Sequence, residues 1–305
     1  MKQTKIDGNH RETEILSHIC HKSMRDLDEK HGGIVLPKRL QGRPNNITKF
    51  VKYFQCPVFY ERELKLWCEN RNYKGLPLQL FLFQNRLEYL GKSPKALSDM
   101  EILRGFGIAG ILNSYTRYDT TVLDKLLMDY HCTSVYDPCA GWGERMVCCL
   151  SRNVKYYGID VNEKLFTGYQ DMLTYLDVKP DMCFMQIGNA AEIDVSDIQA
   201  DVVFTCPPYY NVELYTENGA ENLSYADFLL WWDKVVKNSL NVHPSYFMFQ
   251  MNQKYKQDML DVVLQNDFVL VEERIVPQRS SHKTRSANGQ NRKKEYESVM
   301  ICKRA

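Results

Sequence analysis

Short apolar runs alternate with amphipathic segments along the chain from about residue 134. The runs are bounded by turn residues and predict strands over 134–137, 154–159, 183–187, 202–205, 246–251, 268–276 and 298–303. Apolar residues at helical spacing predict helices over 144–150, 166–176, 225–240 and 256–265. The last two strands would form a hairpin-like pair. The rest of the pattern is typical of an α/β protein whose mainly parallel sheet is covered by helices on both faces and binds ligands at the carboxyl ends of its strands.

The first third of the chain shows helical spacing instead of this alternation. Helices are predicted from 16 to 27, over 59–67 and over 78–90. We therefore predict two domains. Residues 1–110 form a mostly helical region with substrate recognition as its candidate role, and residues 111–305 form the α/β domain.

The composition predicts the cellular compartment of this protein. Its ten cysteines include no CxxC pair and no cluster with zinc spacing, which predicts free thiols in a reducing, intracellular compartment and no metal site. The first residues are polar and lack the apolar core of a signal peptide. No apolar stretch approaches the length of a membrane span. We expect a cytoplasmic protein without a membrane partner.

The first predicted strand leads into a glycine loop, Asp137-Pro-Cys-Ala-Gly-Trp-Gly143. Glycines allow the backbone to approach a ligand closely. The helix that follows offers free N–H groups and the positive end of its dipole, which suit the carboxylate of S-adenosylmethionine. We predict that this cofactor is bound by Asp137, Pro138, Cys139, Ala140, Gly141 and Gly143.

Two further strand ends carry residues that fit an adenosyl cofactor. Asp160 ends the second strand, where an acidic side chain commonly binds both hydroxyls of a cofactor ribose, and it would also suit the N-cap of the next helix. Val161 follows it. At the end of the third strand, Asn189 and Ala190 are candidates for contact with the adenine, with a plain turn asparagine as the alternative.

A dinucleotide-dependent dehydrogenase is the competing interpretation of the glycine loop. Such an enzyme normally has G-x-G-x-x-G directly after the first strand, and only Gly141 and Gly143 match. Asp137 would also repel a pyrophosphate. The sequence therefore favours S-adenosylmethionine.

The fourth predicted strand ends at Thr205-Cys-Pro-Pro-Tyr-Tyr210, and residues 206–209 resemble the (Asp/Asn/Ser)-Pro-Pro-aromatic signature of amino-methyltransferases. Prolines stiffen the loop and remove N–H donors. The carbonyl of Pro207 and the side chain of Cys206 would then orient a substrate amino group, while Tyr209 stacks on a planar base. We predict a catalytic loop of Cys206, Pro207, Pro208 and Tyr209, with Cys206 also near the cofactor and Tyr210 near the nucleic acid.

Cys206 departs from that signature, because a thiol is a weak hydrogen-bond acceptor. Three interpretations stay open. The thiol replaces a serine and the Pro207 carbonyl does most of the orientation, which we favour. Alternatively, Cys206 is the nucleophile of a cytosine C5 methyltransferase. In the third, the site is degenerate and the chain is a nucleic-acid-binding subunit without turnover.

Together these motifs resemble class I S-adenosylmethionine-dependent amino-methyltransferases, and in particular a family of predicted DNA methylases of phages and large DNA viruses. The resemblance covers about 114–303 and extends from Tyr115-Thr-Arg-Tyr118 to the end of the last strand. It implies a Rossmann-like class I methyltransferase fold with a seven-stranded, mainly parallel sheet, and methylation of adenine N6 or cytosine N4 in DNA. It also implies that Tyr118 covers the methionine end of the cofactor, and that the protein acts inside a host cell, as restriction-modification enzymes do.

The charge distribution is the remaining pointer to nucleic acid. The chain carries a net charge of +1, and residues 277–305 alone carry +6. We predict that a basic loop over 277–295 contacts phosphates through Arg279, Lys283, Arg285, Arg292, Lys293 and Lys294. A homodimer or a partner subunit is left open. Methylation of a protein glutamine amide, which also uses Pro-Pro-Tyr sites, is a further alternative that this basic loop disfavours.

Overall fold

The computed structural model describes residues 47–48, 50–51, 54–55, 72–73, 76–77, 118–210, 223–277 and 296–305. The chain divides into two compact units, Met1–Tyr118 and Asp119–Ala305, whereas the sequence placed the boundary after residue 110. In the first unit, residues 47–48, 50–51 and 54–55 are helical, and Asn72–Tyr73 pairs with Leu76–Pro77 as antiparallel strands. The helices predicted over 16–27, 59–67 and 78–90 lie outside the described residues.

The second unit is built on a sheet of seven strands. They are β1 Ser134–Asp137, β2 Lys155–Asp160, β3 Cys183–Ile187, β4 Val202–Thr205, β5 Tyr246–Asn252, β6 Phe268–Pro277 and β7 Tyr296–Arg304. Their order across the sheet is β3-β2-β1-β4-β5-β7-β6. Neighbours from β3 to β5 are parallel, and β7 is antiparallel to both β5 and β6. This confirms the predicted Rossmann-like class I methyltransferase fold with its mainly parallel sheet and closing pair of strands.

The strand order also separates this domain from a dinucleotide-binding domain. The usual order there is β3-β2-β1-β4-β5-β6, with all strands parallel. Here an antiparallel β7 is inserted between β5 and β6. The topology therefore supports the choice of a methyltransferase over a dehydrogenase independently of the glycine loop.

Five α-helices in the described part of the second unit pack around the strands. They are α1 Thr120–Asp129, α2 Glu144–Ser151, α3 Phe166–Tyr175, α4 Tyr225–Ser239 and α5 Lys256–Leu264. Every residue of β1 and β4 is buried. Because successive strand residues point to opposite faces, both faces of the sheet centre must be covered. On one face, Trp232 of α4 packs against Phe247 and Phe249 of β5.

Helix α1 was not predicted from the sequence. Leu123, Leu126 and Leu127 have the spacing of one helical face and are all buried. The side chain of Asp119 caps the helix by accepting a hydrogen bond from the Thr121 amide at 3.1 Å. In the described part of the chain, none of the helices has the length and apolar character required to cross a membrane.

Candidate active site

Four loops that carry the predicted site residues leave the sheet along one edge. The register pairs Asp137 with Gly158 and Asp160 with Ile187, so the ends of β1, β2 and β3 are nearly level. Strand β4 lies directly beside β1 and runs parallel to it. The loops after these four strands therefore share the carboxyl edge of the sheet, the usual ligand-binding edge in this class of fold.

The glycine loop requires glycine at two positions. Gly141 and Gly143 have φ angles of +62° and +105°, a region that other residues rarely adopt. A Cβ atom at Gly143 would also lie 3.0 Å from Cε of Met172, a residue of α3. The Ala140 amide donates to the Ile159 carbonyl at 2.8 Å and so ties the loop to β2. The turn is tight enough to bring backbone N–H groups to the carboxyl edge.

The Asp137 carboxylate is directed into the protein interior. It is fully buried and accepts hydrogen bonds from Arg145 Nε at 2.5 Å, from the Tyr156 hydroxyl at 2.7 Å and from the Cys139 amide at 3.2 Å. Because Asp137 is paired with Arg145, its charge does not distinguish a pyrophosphate site from an S-adenosylmethionine site. The role that these contacts support for Asp137 is to hold the loop.

Sequence reasoning missed two residues that brace the loop from outside it. Arg145 donates to the Cys139 carbonyl as well as to Asp137. The Tyr169 hydroxyl of α3 donates to the Gly141 carbonyl. The only signal in the sequence was an arginine in the first turn of the helix after the glycine loop. Pro138 and Ala140 are buried within the loop, and burial raises the pKa of the Cys139 thiol.

Asp160 bridges β2 and the glycine loop. Its two carboxylate oxygens accept from the amides of Gly141, at 2.7 Å, and Asn162, at 2.9 Å. A carboxylate has about four lone-pair positions, so roughly two are left for ligand hydroxyls. Burial raises the pKa of Asp160 to about 6, against the lowering effect of these two amides. Val161 follows with 43% of its surface exposed and offers an apolar face at the same edge.

At the end of β3, the side chain of Asn189 already has partners within the protein. Its Oδ1 atom accepts from the Ala191 amide at 3.1 Å and from Trp231 Nε1 at 3.0 Å. An amide oxygen has two lone pairs, so both are in use. The expected contact between this oxygen and an adenine amino group would require one of these bonds to open. Ala190 is buried, so only its backbone could reach a ligand.

The Pro-Pro loop follows β4 directly. Pro207 is buried, and Cys206, Pro208 and Tyr209 are half-buried. The Cys206 thiol donates to the Tyr209 hydroxyl at 3.8 Å. Burial raises the pKa of Tyr209 well above its ordinary value, with further contributions from Cys206 and Glu297.

Tyr210, predicted to contact nucleic acid, lies in an aromatic cluster. Its ring centroid is 5.1 Å from that of Tyr225, 5.6 Å from that of Phe228 and 5.8 Å from that of Tyr255. These contacts anchor the end of the Pro-Pro loop to α4 and to the segment before α5. Contact between Tyr210 and nucleic acid stays a prediction.

The remaining predicted site residues are those of the basic loop and Tyr118. Arg279, Lys283, Arg285, Arg292, Lys293 and Lys294 lie outside the described residues. Tyr118 is the last residue of the first unit, and its contact with the cofactor stays a prediction. Among the residues described, no group of three His, Cys, Asp or Glu side chains is arranged to hold a metal ion.

Comparison with known proteins gives structural neighbours only. No family model matches the sequence, and no curated protein matches it. TrmN from Thermus thermophilus is similar with 13% identity and a TM-score of 0.46 over 68% of each chain. Magnesium protoporphyrin IX methyltransferase from Synechocystis, with bound SAM, shows 11% identity and a TM-score of 0.42 over 61% of this chain and 78% of its own. An S-adenosylmethionine-dependent methyltransferase from Clostridium acetobutylicum shows 10% identity and a TM-score of 0.42 over 61% of this chain and 90% of its own.

Proposed function

We propose that this protein transfers a methyl group from S-adenosylmethionine to the exocyclic amino group of adenine (N6) or cytosine (N4) in DNA. The observation that carries the proposal is the order of the strands. The Asp160 carboxylate, the glycine loop and residues 206–209 follow three adjacent parallel strands, β2, β1 and β4. A cofactor bound along β2 and β1 would therefore present its reactive end beside the Pro-Pro loop.

The residues after β1 and β2 fit S-adenosylmethionine. Asp160 retains acceptor positions for two ribose hydroxyls, and Val161 offers an apolar surface for a planar base. Close backbone approach is possible at Gly141. The first amides of α2 suit a carboxylate. When bound, the cofactor supplies an electrophilic methyl group on a sulfonium sulfur.

The Pro-Pro loop fits an amino group as methyl acceptor. The nitrogen of adenine or cytosine is a weak nucleophile, since its lone pair is delocalised into the ring. A hydrogen bond from this amino group to the Pro207 carbonyl would favour the attacking geometry of the nitrogen. Tyr209 would hold the base by stacking, which fixes the nitrogen near the methyl group.

The charge pattern supports a nucleic acid as the substrate, and the resemblance to DNA methylases favours DNA. Residues 277–305 carry a net charge of +6, which leaves the rest of the chain at −5. A basic segment that enters β7 would neutralise phosphates and give binding a steep salt dependence. In a duplex the target base must leave the stack to reach a loop such as 206–209.

The ionisation of Asp160 predicts a pH dependence of cofactor binding. A carboxylate accepts from both ribose hydroxyls, whereas the protonated acid loses acceptor capacity. Because the pKa is raised to about 6, this loss begins near neutral pH, well above the range of an ordinary aspartate. We expect the dissociation constant for S-adenosylmethionine, measured by calorimetry, to rise about tenfold from pH 7 to pH 5. In Asp160→Asn the affinity is expected to be weak and flat over this range; a wild-type affinity equally flat would contradict the assignment.

Substitution of Tyr209 and Cys206 tests the chemistry of the loop. Tyr209→Ala removes the stacking face and should lower kcat/KM for DNA about 10- to 100-fold. Cys206→Ser supplies a better acceptor, so amino methylation should persist or increase.

The same variants separate the alternatives. A C5 methyltransferase would lose turnover in Cys206→Ser and, in the wild type, would form a trapped adduct with 5-fluorocytosine. A degenerate subunit would bind DNA without cofactor affinity. Unchanged kcat/KM in Tyr209→Ala would contradict the stacking role.

A further inference from the structure

A glutamate from the far end of the chain reaches the methyl-acceptor loop. Glu297 is the second residue of β7, paired with Asn252 of β5 and with Val276 of β6. Its carboxylate hydrogen-bonds with the Tyr209 hydroxyl, which in turn accepts from the Cys206 thiol. Three residues from β7 and from the loop after β4 thus form one polar chain.

The position of Glu297 is fixed from the side of β5. Nε2 of Gln250 donates to a Glu297 carboxylate oxygen at 2.5 Å, and Gln250 is only 4% exposed. Gln250 is paired with Val299, two residues along β7 from Glu297, so both polar side chains lie on the same face of the sheet. A buried amide on a central strand moves little, and it therefore holds the carboxylate in one place.

We propose that Glu297 is a positioning residue for methyl transfer, which rests on the proposed function. It fixes the Tyr209 ring, and with it the Cys206 thiol, in the orientation that holds the substrate amino group. A stacking tyrosine restrained only by packing could rotate and slide. A hydrogen bond from its hydroxyl to a held carboxylate removes that freedom and keeps the target nitrogen near the methyl group.

This arrangement also bears on the unusual residue at position 206. The Cys206 S–H is directed to the Tyr209 oxygen. Burial and the nearby Cys206 and Glu297 raise the pKa of Tyr209, so the phenol stays protonated and continues to donate to Glu297. The chain of donors runs in one direction, from thiol to phenol to carboxylate.

A double-mutant cycle on the full-length protein tests the proposal. Glu297→Gln keeps the shape of the side chain and removes its charge, and Tyr209→Phe keeps the ring and removes the hydroxyl. Each is expected to lower kcat for DNA about tenfold with little change in the KM for cofactor. The double variant should be no slower than Tyr209→Phe alone, because Glu297→Gln only weakens the hydrogen bond that Tyr209→Phe removes. Effects on kcat that multiply would overturn the proposal.

A matched control separates positioning from general damage to the sheet. Glu272 of β6 accepts a hydrogen bond from the Tyr130 hydroxyl at 2.7 Å, so Glu272→Gln makes the same change at another glutamate–tyrosine bond. This variant should retain wild-type kcat. A loss of kcat in Glu272→Gln equal to that in Glu297→Gln would overturn the positioning role.

A spectroscopic measurement decides the proposal even without turnover. With 3-fluorotyrosine at position 209, the ¹⁹F resonance follows ionisation of the phenol. In the wild type the phenol is expected to ionise at higher pH than in Glu297→Gln, since a nearby carboxylate disfavours the phenolate. The same titration in both proteins would overturn the proposal. If the phenol ionises at higher pH in the wild type than in Glu297→Gln but the wild type does not methylate DNA, the proposed function is contradicted and the contact between Glu297 and Tyr209 is not.

Discussion

Replacing Asp160 with alanine is expected to weaken S-adenosylmethionine binding about 100-fold or more. The variant removes the acceptors for the ribose hydroxyls, and a hydrogen bond to a charged group contributes about 1.5–3 kcal/mol. It also removes the partner of the Gly141 amide, which holds the glycine loop beside β2. Isothermal titration calorimetry of the purified variant measures the effect directly, with its unfolding midpoint recorded to show that the chain is folded.

Two further variants serve as an intermediate case and a control for this experiment. Asp160→Asn keeps the shape and one acceptor oxygen, so its loss should fall between wild type and Asp160→Ala. Asp194 is an exposed aspartate that also accepts a backbone N–H, from Ser196 at 2.9 Å. Asp194→Ala should bind the cofactor as the wild type does. Near-wild-type affinity in Asp160→Ala would remove Asp160 from the cofactor site.

Arg145→Met is expected to lower the free energy of unfolding by about 3–5 kcal/mol, because it leaves the buried Asp137 carboxylate without its cation. The arginine also holds the Cys139 carbonyl, so the glycine loop loses two restraints at once. Urea unfolding followed by circular dichroism gives the loss. This is the largest stability effect that we expect from any single substitution near the site.

The matching control is an ion pair at the surface. Lys237 and Asp233 lie 2.6 Å apart on α4, and Lys237 is 61% exposed. Lys237→Met should cost no more than about 0.5 kcal/mol. Adding Asp137→Asn to Arg145→Met removes the orphaned charge and should recover part of the loss. If Arg145→Met were as mild as Lys237→Met, the pair would not stabilise the loop.

The elements of the second unit could be predicted well from sequence because their patterns are local. The strands at 134–137, 183–187 and 202–205 are apolar runs with polar or turn residues at their ends, and the structure has them with these bounds. Asp160 was placed at a strand end for the same reason. Helix α1 was not predicted, although its buried leucines, Leu123, Leu126 and Leu127, form an equally local pattern.

The partners of the site residues could not be predicted, because they come from elsewhere in the chain. The sequence around an aspartate at the end of a strand does not reveal whether the side chain faces a ligand or a buried arginine. Asp137 faces Arg145. The oxygen of Asn189 is taken by Trp231 of α4. Glu297 meets Tyr209 only because β7 is inserted beside β5. Tertiary contacts of this kind depend on strand order, which local patterns do not specify.

The central claim, methyl transfer to an exocyclic amino group of DNA, is tested most directly by the mass of the product nucleoside. The protein is incubated with S-adenosylmethionine that carries a deuterated methyl group and with DNA, RNA or a glutamine-containing protein in parallel. The nucleosides are then separated and identified by mass spectrometry. We predict the deuterated methyl group on N6 of adenine or N4 of cytosine from DNA. Label on C5 of cytosine, label only on RNA or on glutamine, or no label from a protein that binds the cofactor would contradict the claim.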